Sequence, residues 1–310
     1  CDEVISQFSD SNEPQLQLEV AHALSYKGDA QKKRGELEAA IKTCDEVISQ
    51  FSDSNEPQLQ LSVAYALLHK GDAQKKRGEL EAAIKTYDEV ISQFGDSNES
   101  GFQAMVACAM LKKGKAQSQR GELEAEIEAC DRVISQFGDS NESNLQLQVA
   151  CALAIGGMIH IQMGRAKEAL HTCEALERRP EILLARNVKT LLKWRTRCVR
   201  TRALMLQEKR RSAMDAFRSA YDVFVSDDES MMDDMQKIVP DLIATGASER
   251  DLVEILSSDR AKSSALAPLI VALQQSTGEK VRPPVEVFEV AKDILKRIKA
   301  RVEKGAPVAS

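Results

Sequence analysis

Aromatic side chains make up only 4% of this 310-residue chain, which leaves little for a β-rich core. Alanine, leucine, glutamate, lysine and glutamine are plentiful instead, and they favour helices. No apolar run approaches the roughly 18 residues that span a bilayer, and no signal peptide is visible, so a cytoplasmic location and no membrane partner are expected. A strong charge of one sign is also missing: 42 basic against 48 acidic residues leave a net charge of −6, which argues against polyanion binding by the whole chain. The seven cysteines contain no C-x-x-C pair and are odd in number, so buried reduced thiols are expected rather than a disulfide framework or structural zinc.

Motifs that carry catalysis are equally scarce. Gly114-Lys115 ends like a phosphate-binding loop, but Ala109 stands where that motif needs its first glycine. The histidines His22, His69, His160 and His171 are dispersed, and His171 with Cys173 cannot face each other two residues apart on a helix. No catalytic, metal-binding or cofactor-binding residue is expected.

What the chain has is repetition, with a period of 43 residues. Cys1 to Leu18 is identical to Cys44 to Leu61, and Lys27 to Thr43 is identical to Lys70 to Thr86. Gly28 and Gly35 recur as Gly71 and Gly78, Gly114 and Gly121, and Gly157 and Gly164. Four of the cysteines, Cys1, Cys44, Cys130 and Cys173, share one repeat position, where the second unit has Tyr87; Cys108 and Cys151 share another. Because Cys1 aligns with the middle of a unit, the sequence is expected to begin inside a longer array. A fixed period of this length means stacked units that bury their apolar faces against their neighbours.

Within a unit the apolar spacing is helical. Leu80, Ala83, Ile84, Tyr87, Val90, Ile91 and Phe94 form one stripe of a helix. A first helix is predicted from about Pro57 to Lys76, with Asn55 or Ser54 available as its cap and Gly78 in the left-handed position after it. Two antiparallel helices per unit, stacked, predict an all-α fold: a right-handed superhelical solenoid of helix hairpins with a C-terminal helical region.

The series Leu67, Gly71, Gly78, Ala83, Tyr87 and Val90, repeated as Leu24, Gly28, Gly35, Ala40, Cys44 and Val47, resembles the tetratricopeptide repeat family. The third unit follows with Met110, Gly114, Gly121, Glu126, Cys130 and Val133, and the fourth with Leu153, Gly157, Gly164, Ala169 and Cys173. The departures are Gln31, Gln74, Gln117 and His160 where the family usually has an aromatic, a missing helix-ending proline, and units longer than usual. Glu126 replaces a small alanine and is expected to swing out or loosen the third unit. The resemblance covers roughly residues 1–176 and is similar to the long-unit arrays of bacterial proteins. Residues 177–225 read as a degenerate capping hairpin starting near Pro180, with Thr201 and Glu208 in place of glycines. The last segment, 226–310, reads as short helices: about Met231 to Thr245, Ser248 to Leu256, Arg260 to Gln274 and Val285 to Lys304. It is expected to pack on the end of the array or to form a separate bundle.

The first two units differ at only four positions: Glu19 with Ser62, His22 with Tyr65, Ser25 with Leu68, and Tyr26 with His69. On a helix these fall within one arc of about 120°. The resemblance implies that first helices line a concave groove and that His22, Tyr65, Cys108 and Cys151, with Ser25, Leu68, Leu111 and Ala154, are ligand-facing. With Tyr26 and His69 added, this stripe is the expected surface for a protein or peptide partner, and Tyr65, Leu68 and His69 are its expected anchors. A non-catalytic interaction scaffold is therefore the leading expectation. The alternative is a sensor or regulatory arm of a larger enzyme, such as an NTPase, with its catalytic domain upstream of residue 1. A third reading, nucleic-acid binding, rests on the cations between Arg186 and Arg211 with Trp194 among them, against which stands a solvated helix face partly neutralised by the acids that follow.

Overall fold

The computed structural model describes residues 1–9, 11, 13–179, 186–279, 281 and 283–304, and only the backbone of 186–189, 260, 261 and 304. Among the described residues there are 16 helices and no strand. Contacts divide the chain into two compact units, Cys1–Ala152 and Leu153–Ser310.

In the first compact unit the repeat maps directly onto helices. After the short α1 (Asp2–Phe8), the first helices α2 (Pro14–Lys33), α4 (Pro57–Lys76) and α6 (Ser100–Gln119) each have 20 residues. The second helices α3 (Leu37–Phe51), α5 (Leu80–Phe94) and α7 (Leu123–Phe137) each have 15. Each consecutive pair from α2 to α7 packs together, and α2 also touches α4, as α4 touches α6. First helices thus adjoin one another, while α3 and α5 each sit between two first helices. This is the packing of a helical solenoid.

The expected stripe on the second helix is the buried one: Ala83, Tyr87, Val90 and Phe94 face the core, and Phe94 stacks on Phe102 of α6 at 5.1 Å. Gly78 has φ +84, and the amides of Gly78 and Glu79 close α4 on the carbonyls of Lys75 and Gln74. The cap at the other end differs from expectation. Glu56 is the N-cap and its side chain bonds nothing there; Ser54 Oγ instead accepts from the Glu56 amide at 3.2 Å. Proline at the first turn of α4 removes one of the amides that a cap would serve. The linker is held by Gln60, whose Nε2 donates to the carbonyls of Ser52 at 2.8 Å and Ser54 at 2.7 Å.

Two departures from the family pattern have structural reasons. Gln31 and Gln74 accept from Thr43 and Thr86 at 2.9 Å and 2.8 Å, so an amide–hydroxyl pair, half-buried in the first unit and buried in the second, fills the usual aromatic position. Glu126 does not swing out. Its side chain is 3% exposed, with Lys115 Nζ 3.5 Å away.

The helix α8 (Ser143–Gln162) corrects the expectation that no apolar run is long enough to span a membrane. By length and composition it qualifies, yet more than half of the helix is buried in protein, including Leu145, Val149 and Leu153, as in a core helix.

In the second compact unit α9 (Ala166–Glu177) packs on α10 (Arg186–Leu206), and α10 packs on α11 (Arg210–Val223). Pro180 and the residues through 185, where the capping hairpin was expected to start, lie outside the described residues. The α10–α11 turn keeps its geometry without glycine: Glu208 has φ 59, and the amides of Glu208 and Lys209 bond Met205 and Leu204 as the glycine turns do. Then follow α12 (Glu229–Ala244), capped by Asp228, and α13 (Glu249–Leu256), capped by Ser248. The helix expected at Arg260 to Gln274 is two, α14 (Arg260–Ala265) and α15 (Ala267–Ser276), because Pro268 lacks an amide proton and crowds the carbonyl four residues before it. The last helix is α16 (Val285–Lys304). One core joins these helices to the hairpin, with Trp194, Phe217, Tyr221 and Phe224 against Met235, Leu242, Leu256 and Ile294.

The candidate binding face of the first helices

Side by side, α2, α4 and α6 bring equivalent residues of successive units into rows. The row of His22, Tyr65 and Cys108 starts with an exposed imidazole, continues with a tyrosine 42% exposed and ends with a half-buried thiol. Tyr26, in the next row, is 73% exposed. Its counterpart His69 is half-buried and packs its ring on Tyr65, with centroids 4.2 Å apart. His69 Nδ1 lies 2.6 Å from Lys32 Nζ, and the Asp29 carboxylate is 3.2 Å from Lys32 and 2.7 Å from Lys33. Burial, and then the Lys32 ammonium, push the His69 imidazole down to about 4, so it is neutral and accepts from Lys32.

One unit further on, the same rows hold Asp72, Lys75 and Lys112. Lys112 Nζ donates to both oxygens of Asp72 at 2.8 Å and 2.7 Å, and the Tyr87 hydroxyl donates to one of them at 2.9 Å. Burial alone raises a carboxyl, but Lys112 more than offsets it and holds Asp72 below its ordinary range. Burial raises the Cys108 thiol and the Tyr87 phenol. This network escaped a reading based on differences, because Asp29 and Asp72, and Lys32 and Lys75, are identical between the first two units.

The structure divides the expected stripe. Leu68, Leu111 and Ala154 are 4%, 6% and 7% exposed, which corrects their placement among partner-facing residues. A 120° arc is wider than the free face of these helices, and α4 has first helices on both sides, so part of its arc is spent on packing. Ser25 is half-buried and its hydroxyl turns back to the Ala21 carbonyl at 2.8 Å. Cys151 is half-buried. What stays open on the described face is His22, Tyr26 and Tyr65, with the edge of His69.

The basic stretch is largely engaged within the second compact unit. Arg195 binds Asp234 at 3.1 Å and Ser230 at 2.9 Å, Arg200 binds Glu177 at 2.8 Å, Arg202 binds Asp241, and Arg197 donates to the Ser219 carbonyl. Trp194 is wholly buried, so its indole offers no stacking surface to a base. The side chains of Arg186 and Lys189 lie outside the described residues. Among the described residues no group of three or more His, Cys, Asp or Glu side chains is placed to hold a metal ion.

Comparison with known proteins agrees with this architecture. No curated protein matches the sequence. A family model of the tetratricopeptide repeat matches residues 22–54 and 65–97, beginning at His22 and Tyr65, the same position of consecutive units. Residues 22–54 and 65–97 are thus tetratricopeptide repeats.

Proposed function

We propose that this chain is a non-catalytic interaction scaffold that binds a partner polypeptide along the adjoining first helices of its repeats. The observation that carries this reading is the aromatic ridge of Tyr26 and Tyr65, left in solvent at 73% and 42% exposure on the face where α2 and α4 meet. Exposed tyrosine supplies apolar area with a polar tip, and tyrosine is among the residues that dominate binding energy at interfaces. Tetratricopeptide repeats suggest the same class of function.

The test places a photo-crosslinking phenylalanine analogue at position 65, with a control at Glu89, an exposed residue of α5. The partner recovered from position 65 is then purified and titrated against wild type, Tyr26→Ala and Tyr65→Ala. Each alanine is expected to weaken binding about tenfold or more, as removal of an interface anchor does. Equal crosslinking at position 89, or unchanged affinity in both alanine variants, would move the binding surface elsewhere.

A further inference from the structure

One substitution between repeats changes the chemistry of a lysine. In the first unit Lys32 Nζ has an acceptor, His69 Nδ1 at 2.6 Å, and Asp29 Oδ1 at 3.2 Å. Lys75 is the same residue one unit later, but the place of His69 is taken by Lys112, and an ammonium accepts no hydrogen bond. Lys112 and Tyr87 occupy the Asp72 carboxylate, and Lys75 Nζ is left 3.8 Å from it with no hydrogen-bond acceptor among the described residues. The Lys75 side chain is 20% exposed, against 13% for Lys32, so both are similarly sheltered and both reach solvent.

The groups facing Lys75 are Asp72 on its own helix α4 and Lys112, Lys115 and Cys108 on α6. Burial is the largest influence, and with Lys112 and Lys115 it outweighs Asp72 and Cys108, so the Lys75 ammonium releases its proton more readily than an ordinary lysine. A lysine that gives up its proton more readily than usual, has no hydrogen-bond acceptor among the described residues and lies beside other cations is placed to act as a nucleophile.

We propose that Lys75 is an acylation site, modified by small anionic acyl donors of the acyl-phosphate class. The Nζ lone pair adds to the carbonyl carbon of the donor, the bond from that carbon to the phosphoryl oxygen breaks, and inorganic phosphate leaves with the electron pair. The amine proton goes to the departing phosphate or to water. Lys112 and Lys115 draw in the anionic donor and face the negative charge that develops on the carbonyl oxygen. The amide formed is uncharged, so modification leaves Lys112 as the ammonium paired with Asp72. The proposal does not depend on what the tyrosine ridge binds.

The test is acetylation of the purified chain with acetyl phosphate near pH 7, with early-time modification of each lysine measured by peptide mass spectrometry. Position 75 is expected to react several-fold faster than position 32, and the gap is expected to close as pH rises into the range where ordinary lysines lose their protons. Lys112→His restores the lysine–imidazole pair of the unit before it and should bring the rate at position 75 down to that of Lys32. The reciprocal His69→Lys, in a different unit, should raise the rate at Lys32. Circular dichroism checks that each variant keeps its helices. Equal rates at positions 75 and 32 in the wild type would overturn the proposal, as would a fast position 75 that persists in Lys112→His.

Discussion

Gly28 and Gly71 hold the same repeat position, yet alanine is expected to have opposite effects at the two. Both glycines are buried inside first helices, where exchanging glycine for alanine gains about 1 kcal/mol of helix propensity. The surroundings decide whether that gain survives. A Cβ on Gly28 meets Thr43 Cγ2 at 3.7 Å and Cys44 Sγ at 3.8 Å, ordinary contact distances. A Cβ on Gly71 meets Tyr87 at 2.5, 2.9 and 3.0 Å from three ring carbons. That ring is wholly buried and its hydroxyl is tied to Asp72 at 2.9 Å, so it has nowhere to move without losing a charge-assisted bond. Overpacking costs about 1–3 kcal/mol, and breaking a hydrogen bond to a charged group costs about as much again.

Gly28→Ala is therefore expected to stabilise by about 0.5–1 kcal/mol, and Gly71→Ala to destabilise by about 1–5 kcal/mol after its propensity gain is subtracted. Repeat arrays need not unfold in one step, so the urea midpoint should be paired with hydrogen exchange of amides in α2–α3 and α4–α5. Tyr87→Cys, which copies Cys44 of the first unit, provides the cycle: Gly71→Ala should become harmless in that background. A Gly71→Ala variant as stable as wild type, or one whose cost persists without the tyrosine ring, would refute the steric account.

Other variants test separate features. His69 is pushed from 6.5 to about 4 by burial and Lys32; the unfolded chain takes up its proton first as pH falls, so stability should drop from about pH 6.5 towards pH 4. His69→Gln should flatten that part of the pH profile of the urea midpoint. Glu208→Gly should raise the thermal midpoint by relieving about 1 kcal/mol of left-handed strain at φ 59. Trp194 Nε1 is buried without a hydrogen-bond partner, so Trp194→Phe should cost less than about 1 kcal/mol, since the lost packing is offset by removal of an unsatisfied donor; a loss of about 3 kcal/mol or more by chemical denaturation would contradict this. Glu126→Ala should stabilise by about 1 kcal/mol, because the carboxylate is buried with one ammonium at 3.5 Å; an unchanged or lowered urea midpoint would show that Lys115 compensates it well.

The helices of the repeats were legible because two independent signals agree there. Second helices have one apolar stripe, and the left-handed glycines punctuate their starts, so Leu80–Phe94 follows from spacing alone. First helices such as α4 bury residues on several sides, Leu59, Val63, Ala66, Leu67 and Gly71 among them, and periodicity says little about them; their bounds came from Pro57 and Gly78. The same breadth of burial makes α8 read as a membrane span by composition. In the C-terminal helices neither signal repeats, so Pro268 inside an otherwise helical pattern was passed over, and the core shared by Trp194 and Leu256 was invisible because it joins segments far apart in sequence.

The candidate face was legible only where duplication had been edited. Comparing near-identical units isolates residues free to change, and four of those, Glu19, His22, Tyr26 and Tyr65, are exposed. Freedom to change has a second cause, however: a buried position can differ in size between units, and the row of Ser25, Leu68, Leu111 and Ala154 has three buried members. The converse error is larger. Lys75 and Asp72 are unchanged from Lys32 and Asp29, so comparison discards them, although their environment changes when His69 becomes Lys112 on the neighbouring helix. In a stacked array a residue's chemistry belongs to the pair of units that enclose it. The informative comparison is therefore between interfaces of successive units, and the α2–α4 and α4–α6 interfaces differ where a lysine either has a hydrogen-bond acceptor or lacks one.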